Sequence, residues 1–321
     1  MHDTNNFETP VLGIIVPCFN EEQVLPITIE KLGTFLKSIA EKGKISKNSF
    51  IAFVDDGSND KTWEIILNKS HEYSYIKGIK LSRNFGHQNA LLAGMSSYLN
   101  DTECIITIDA DLQDDIQVIE SMIDQFTQGI DIVYGVRKER KTDSFFKRIS
   151  AIGFYRFMKM LGVEIIYNHA DFRLLSKKVL EQLENFNEVN LFLRGLFPLL
   201  GFPSTTVYYD RQKRELGESK YPFFKMLFLG FEGISSFSVK PLRFISLIGI
   251  GLFIFSLCLA SYAIYSHFVL GTVPGWTSIT LPVYFLNGIQ ILCIGILAEY
   301  IGKIYKEVKA RPRYIIEKIL K

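Results

Sequence analysis

The stretch Phe244–Leu270, FISLIGIGLFIFSLCLASYAIYSHFVL, contains no Asp, Glu, Lys or Arg, and no other feature constrains the fold so strongly. About 20 apolar residues suffice for a helix to cross a bilayer core. A core helix of a soluble protein rarely runs so far without a polar face. A second apolar run covers Thr280–Ile296 and extends through Ala298. The connector His267–Ser278 has no Lys or Arg, whereas Lys240 and Arg243 precede the first run and Lys303, Lys306, Lys309, Arg311 and Arg313 follow the second. That asymmetry puts both outer flanks on the cytoplasmic side and the connector outside. The sequence therefore predicts two transmembrane helices, at about 244–270 and 280–304, and a cytoplasmic basic tail over 305–321. Just upstream, the Phe-rich segment Tyr221–Phe237, broken by Lys225 and Glu232, predicts an interfacial amphipathic helix region over 221–243.

Residues 1–220 read differently. Short β-rich runs at Leu12–Val16, Phe50–Val54, Ile76–Leu81, Cys104–Ile108 and Ile130–Tyr134 alternate with helical stretches at Glu21–Glu41, Lys61–Ser70, Asn89–Leu99 and Ile116–Gln128. Such alternation predicts an α/β domain with a mostly parallel, Rossmann-like sheet covered on both faces. A net charge of +2 argues against a nucleic-acid partner. Cys18, Cys104, Cys258 and Cys293 have no metal-ligand spacing and read as reduced thiols. The opening MHDTNNFETP lacks a basic segment followed by an apolar one, so no signal peptide is expected.

Polar clusters follow three of the strands. In open α/β sheets that edge holds the ligand crevice. Asp109-Ala-Asp111-Leu-Gln113 places two carboxylates two residues apart after an apolar strand. Hard oxygen ligands of this kind suit Mg²⁺ or Mn²⁺ bound together with substrate phosphates. Asp114 and Asp115 read as caps of the next helix. Asp55-Asp56-Gly57-Ser58-Asn59-Asp60 offers a carboxylate for a base or ribose, Gly57 for a sharp turn and Asp60 as a helix cap. Arg137 to Arg148 concentrates cations whose guanidinium forks suit phosphate oxygens.

VPCFNEE, VDDGSND, LSRNFGHQNALLAG and DADLQDD occur in this order, and together they resemble the family-two glycosyltransferases of the GT-A fold. Asp171-Phe-Arg173-Leu and the segment Arg211–Tyr221 narrow the resemblance to the polyprenyl-phosphate branch, which includes dolichol-phosphate mannose synthases and bactoprenol glucosyltransferases. The tail Glu299–Pro312 resembles the bactoprenol type. For the matching positions the resemblance implies that Pro17, Asn20, Glu22, Asp56 and Arg83 bind the donor, with Asp109 and Gln113. Asp109 and Asp111 would hold the metal. Asp171 would sit near the reacting centre as a positioning group or weak base. Arg137, Arg148, Arg214, Ser219 and Lys220 would meet the acceptor phosphate. Asp111, Asp171 and Arg137 are the expected catalytic residues.

The expected activity is transfer of a sugar from a nucleotide-sugar, with a UDP-sugar favoured, to undecaprenyl or another polyprenyl phosphate. The reaction would depend on Mg²⁺ or Mn²⁺ and invert the anomeric centre. The expected place is the inner (cytoplasmic) membrane, multi-pass, with the catalytic domain and both termini cytoplasmic. The lipid bilayer is an expected partner, and the resemblance allows a homo-oligomer formed through the membrane helices. The competing readings are a membrane glycosyltransferase acting on a polysaccharide or protein, and a non-catalytic scaffold with a degenerate transferase domain.

Overall fold

The computed structural model describes residues 9–138, 169–186, 188, 193–210, 240–265 and 275–320. It divides into two compact units. One comprises residues 1–152, 165–221 and 310–321, and the other residues 153–164 and 222–309.

The first unit is built on eight strands. In chain order its elements are β1 (Leu12–Cys18), α1 (Leu25–Glu41), β2 (Phe50–Asp55), α2 (Thr62–Glu72), β3 (Ile76–Leu81), α3 (His87–Tyr98), β4 (Cys104–Thr107), α4 (Val118–Thr127), β5 (Ile132–Arg137), β6 (His169–Ser176), α5 (Lys177–Glu184), α6 (Leu193–Leu199), β7 (Ser204–Tyr209) and, after the second unit, β8 (Ile316–Leu320). The strands form one sheet in the order β7-β5-β6-β4-β1-β2-β3-β8.

The runs LGIIVPC, FIAFVD and CIIT are buried along their whole length, as expected of strands covered on both faces. Side chains alternate between two cores. Leu12, Ile14 and Val16 of β1 pack with α1 and α4. Ile15, with Val54 and Ile79, packs with α3, α5 and α6. Gly94 lets α3 press onto the sheet, since a Cβ there would lie 2.4 Å from Ile15 Cγ2.

The sheet is mixed: six of its eight strands run one way, in keeping with the mostly parallel sheet expected, and β6 and β8 run against them. β1–β2, β1–β4, β2–β3 and β5–β7 are parallel. β4–β6, β5–β6 and β3–β8 are antiparallel. The cause is β6, which enters between β4 and β5 in reverse direction and so brings its N-terminal end to the edge where β1, β2 and β4 finish. β8 likewise turns the last residues of the expected basic tail into an edge strand. Tyr98 OH donates to Leu320 O at 3.1 Å, and Ser82 N donates to Ile315 O at 3.0 Å.

Of the second unit, two helices are described: α7 (Lys240–Tyr265) and α8 (Trp276–Lys309). They fall on the two apolar runs. Leu247, Ile250 and Tyr262 of α7, and Ile279, Ile291 and Ile294 of α8, are exposed. Among the described residues alone, no helix is long and apolar enough to cross a membrane. Many positions inside both helices lie outside that set. The expected interfacial segment 221–237 lies outside the described residues.

Candidate active site

β1 pairs with β2 on one side and with β4 on the other. Chain connections leave in opposite directions at this point, and the carboxyl ends of such strands open a crevice. Pro17 sits in β1 beyond the last β4 partner, Ile15↔Thr107. The missing N–H of proline therefore costs no ladder bond on that side.

The turn after β1 is knitted to the turn after β2. Asn20 adopts a left-handed φ of 56°. Its side-chain oxygen accepts from Asn59 N at 2.9 Å, and its own N–H donates to Ser58 Oγ. Glu22 accepts from Lys61 N at 3.1 Å. Asp60 accepts from Thr62 N and from Glu22 N and so ties the start of α2 to the turn after β1, although the cap position itself is Lys61, one residue beyond the one the sequence suggests. Gly57 has φ 69°, and a Cβ there would lie 2.4 Å from the Arg83 carbonyl carbon. Only glycine fits the place where the β2 turn meets the loop before α3.

Asp56 is buried and accepts from Phe85 N at 2.7 Å and Gly86 N at 2.9 Å. Burial raises its pKa, and those two bonds oppose the shift. Both of its oxygens are thus engaged in fastening the β3–α3 loop to the end of β2. Arg83 projects from that loop, exposed, with its guanidinium 4.1 Å from the Phe85 ring.

Asp109, Asp111 and Gln113 follow β4. Thr28 of α1 donates to Ala110 O at 2.6 Å and holds the turn from below. Leu112 has φ 44°. A bulky residue in that region costs roughly 1–3 kcal/mol and is found where geometry serves a site. Gln113 N donates to Asp111 Oδ1 at 3.3 Å, and the Gln113 side chain is buried. The Asp109 carboxylate has one buried oxygen, Oδ1, with no hydrogen-bond partner, while the rest of the group opens to the crevice. Burial pushes its pKa up to about 6; Asp171, Asp114 and Asp111 push the same way and His87 opposes.

The β4–β6 register pairs Thr107 with Arg173. It therefore carries Asp171 to the position facing Asp109. Thr107 Oγ1 donates to Asp171 O at 2.5 Å and secures the crossing. His87, the first residue of α3, places Nε2 3.5 Å from Asp109 Oδ1 and 3.6 Å from Asp171 Oδ2. Two arginines hold Asp171. Arg194 of α6 donates from Nε at 3.2 Å and from a terminal nitrogen at 2.9 Å. Arg173, almost fully buried, donates to Oδ1. Burial alone would raise the Asp171 pKa, but the Arg173 and Arg194 charges outweigh it and hold the carboxyl far below the usual range. A group so acidic is a poor proton acceptor. A carboxylate clamped by two guanidinium groups suits a positioning group better than a base.

Arg137 ends β5, and the structure pairs it with Asp114 at 2.8 Å from its terminal nitrogen and 3.0 Å from Nε. Tyr209 OH joins them at 2.6 Å from Asp114 Oδ1. Asp114 is thus a buried counter-ion of Arg137 and not the helix cap expected from the sequence. Asp115 does support the following turn by accepting from Gln117 N. Arg148, Arg214, Ser219 and Lys220 lie outside the described residues. His87, Arg173 and Arg194 are the site residues that sequence reasoning missed. His87 stands inside LSRNFGHQNALLAG and Arg173 inside Asp171-Phe-Arg173-Leu, both already singled out, whereas nothing local marks Arg194.

Among the described residues, no three His, Cys, Asp or Glu side chains gather into a closed metal cage. Asp109 and Asp111 do fit a divalent cation of the kind that shares its shell with a diphosphate. They are hard oxygen donors, and the buried Asp109 Oδ1 has no hydrogen-bond partner, with His87 Nε2 3.5 Å away. A pH dependence follows. Below about pH 6 Asp109 is protonated, and a cation must displace that proton. Mn²⁺ affinity measured calorimetrically without substrate is expected to be unchanged between pH 7 and 8, and to weaken by up to about tenfold per unit below 6. Equal affinity at pH 5 and 7.5 would remove Asp109 from the ligand set.

The family described as glycosyl transferase family 2 matches residues 13–184. The chain is 50% identical to the uncharacterized glycosyltransferase YkoT of Bacillus subtilis (strain 168) over 96% of this chain and 91% of that protein. It is 37% identical to the bactoprenol glucosyl transferase of Shigella phage SfII over 96% and 97%. Among solved structures, the glucosyl-3-phosphoglycerate synthase of Mycobacterium tuberculosis is 14% identical, covers 71% of this chain and 79% of its own, and superposes with a TM-score of 0.48. That likeness is too loose to bear on site or reaction.

Proposed function

The chain belongs to glycosyl transferase family 2, and on that premise we propose that it transfers a sugar from a nucleotide-sugar, a UDP-sugar above others, to a polyprenyl phosphate at the cytoplasmic face of a membrane. The observation that carries this reading is the near-full-length similarity to bactoprenol glucosyl transferases, and the carboxylates of Asp109 and Asp111 at the edge of the crevice support it. The unit described for 12–209 also contains 310–321. The chain leaves that unit and returns to the same sheet, so any membrane crossing in between must occur an even number of times. Two crossings, by α7 and α8, satisfy this. At about 1.5 Å per residue, each helix is longer than the roughly 30 Å hydrocarbon core. Over the complete sequence the two runs are apolar, and the exposed Leu and Ile of both helices suit lipid contact.

In the proposed reaction an acceptor phosphate oxygen attacks the anomeric carbon and the nucleoside diphosphate leaves. A phosphate monoester is already mostly ionised at neutral pH, with its second pKa near about 6, so no strong base is required. This fits an Asp171 that is held too acidic to act as one. A bound Mg²⁺ or Mn²⁺ would neutralise charge on the departing diphosphate. Asp109 and Asp111 would bind that cation through their carboxylates. The Asn20, Glu22 and Asp56 network would shape the nucleoside end of the crevice. Asp171, clamped by Arg173 and Arg194, would fix the groups lining the sugar site. Attack from the face opposite the leaving group gives inversion.

The test is a panel of radiolabelled nucleotide-sugars offered to the full chain in membranes with undecaprenyl phosphate, with and without Mn²⁺. Label is expected in the organic phase with one donor, and chelation is expected to abolish it. Label appearing only in polysaccharide or protein would replace the acceptor reading, and absence of any nucleotide-sugar turnover would favour a scaffold.

A further inference from the structure

A cavity of about 410 Å³ lies inside the first unit, where the β3–α3 loop meets the segment just before β8. Its walls include Arg83, Gly86 and Asn89 from one side and Arg311 and Arg313 from the other. Among the described residues, no acidic side chain lines it. Three guanidinium groups around one space repel one another unless an anion fills it, and planar forks of this kind match phosphate oxygens.

The arginines are held in place by the fold. β8 pairs with β3 through Gly78↔Leu320, Ile79↔Ile319 and Lys80↔Lys318. Lys80 and Glu317 add an ion pair at 3.2 Å. Ala310 takes a left-handed φ of 44° and Pro312 follows two residues later, so the chain turns sharply after α8. Arg313 donates one terminal guanidinium nitrogen to Phe186 O, which fixes the orientation of its fork. On the other wall, Asp56 holds Phe85 and Gly86, and the next residue, His87, reaches Asp109 and Asp171. One short turn thus connects the basic cavity to the reacting centre.

We propose that Arg83, Arg311 and Arg313 form a binding site for a lipid-borne phosphate group. The proposal rests on the reading of α8 as a membrane-crossing helix. Arg311 lies two residues after Lys309, the last residue of α8, which limits its Cα to within about 7 Å of the helix end. Lys303, Lys306 and Lys309 on the last turns of α8 attract anionic headgroups towards that end of the helix, so the phosphate is either the monoester of the acceptor or the phosphodiester of an anionic phospholipid. The site supplements the arginines expected at 137, 148 and 214, of which Arg137 is engaged by Asp114.

The experiment compares full-length wild-type chain with Arg311→Gln and Arg311→Lys in uncharged detergent, using three probes: a short-chain polyprenyl phosphate, phosphatidylglycerol and UDP. Loss of a charge-assisted contact predicts about a tenfold weaker Kd for the lipid probe in Arg311→Gln, partial recovery in Arg311→Lys, and an unmoved Kd for UDP. A loss confined to polyprenyl phosphate assigns the site to the acceptor, with a matching rise in acceptor KM. A loss confined to phosphatidylglycerol assigns it to the leaflet. Unchanged affinity for both lipids, or a loss that falls on UDP, overturns the proposal. Binding is read without turnover, so failure of wild type to glycosylate any lipid would defeat the proposed reaction and leave this outcome separately legible.

Discussion

Asp111→Asn is expected to reduce sugar transfer by about three orders of magnitude while leaving membrane insertion and folding intact. Metal neutralisation of a leaving diphosphate is worth several kcal/mol, and about 4 kcal/mol corresponds to roughly three decades in rate. Asn keeps the shape of the side chain and removes the charge that binds the cation. Asp109→Asn should lose as much activity with a further signature. Burial and neighbouring carboxylates raise the Asp109 pKa, so the charged group opposes folding at neutral pH. The folded protein takes up that proton more readily than the unfolded chain, so this cost shrinks as pH falls through about 6 and vanishes only below the unfolded carboxyl's value near about 4. The Asp109→Asn thermal midpoint should therefore exceed that of wild type at pH 7.5, by a margin that narrows at pH 5 and closes only near pH 4. Metal-dependent transfer surviving at more than a tenth of the wild-type rate in either variant would remove the pair from the metal site.

Much of this site is legible in the sequence because its parts are local. Asp109 and Asp111 stand two residues apart at the end of an apolar strand, and the strand's burial dictates where they point. The same holds for the turns at Asn20 and at Asp55–Asp60, whose sequence spacing already implies caps and tight turns. What escaped depends on pairing between distant segments. Arg173 and Asp171 share a strand, HADFRLLS, whose charged members mask its β character. Only the antiparallel register with β4 brings Asp171 to Asp109, and only α6 supplies Arg194. Asp114 reads as a helix cap until Arg137 and Tyr209, from β5 and β7, close over it. β8 was hidden for a related reason. IEKIL is short, flanked by cations, and owes its place to partners distant in sequence: Gly78 of the neighbouring strand β3, the core around Ile66, and Tyr98 OH, which donates to Leu320 O. Long apolar runs, by contrast, announce helices without help from the rest of the chain.

Asp171→Asn should be damaging twice over, and the two effects can be separated. The Arg173 side chain is 1% exposed, and one of its terminal nitrogens already lacks a partner. Removing the opposing carboxylate strands a buried guanidinium, a change that typically costs about 3–5 kcal/mol. For a domain of this size each kcal/mol is worth roughly 2–4 °C, so the midpoint should fall by about 10 °C. Arg173→Met added to Asp171→Asn removes the stranded charge as well. An apolar replacement of a buried pair is often close to neutral, so the double variant should regain most of the lost stability. It should not regain activity, because the 42% exposed Arg194 side chain has then lost the carboxylate that aims it, and His87 has lost one of its two acidic neighbours. Because Arg173 and Arg194 hold the Asp171 pKa far below that of an ordinary carboxyl, its stabilising charge is present at every pH above about 4 and fades only in stronger acid. The wild-type midpoint should thus be insensitive to this group between pH 5 and 9, and the single variant's deficit constant over that range. Full recovery of transfer in the stable double variant would reduce Asp171 to a structural counter-ion, whereas recovery of stability alone identifies a carboxylate whose work is to position the groups around the sugar.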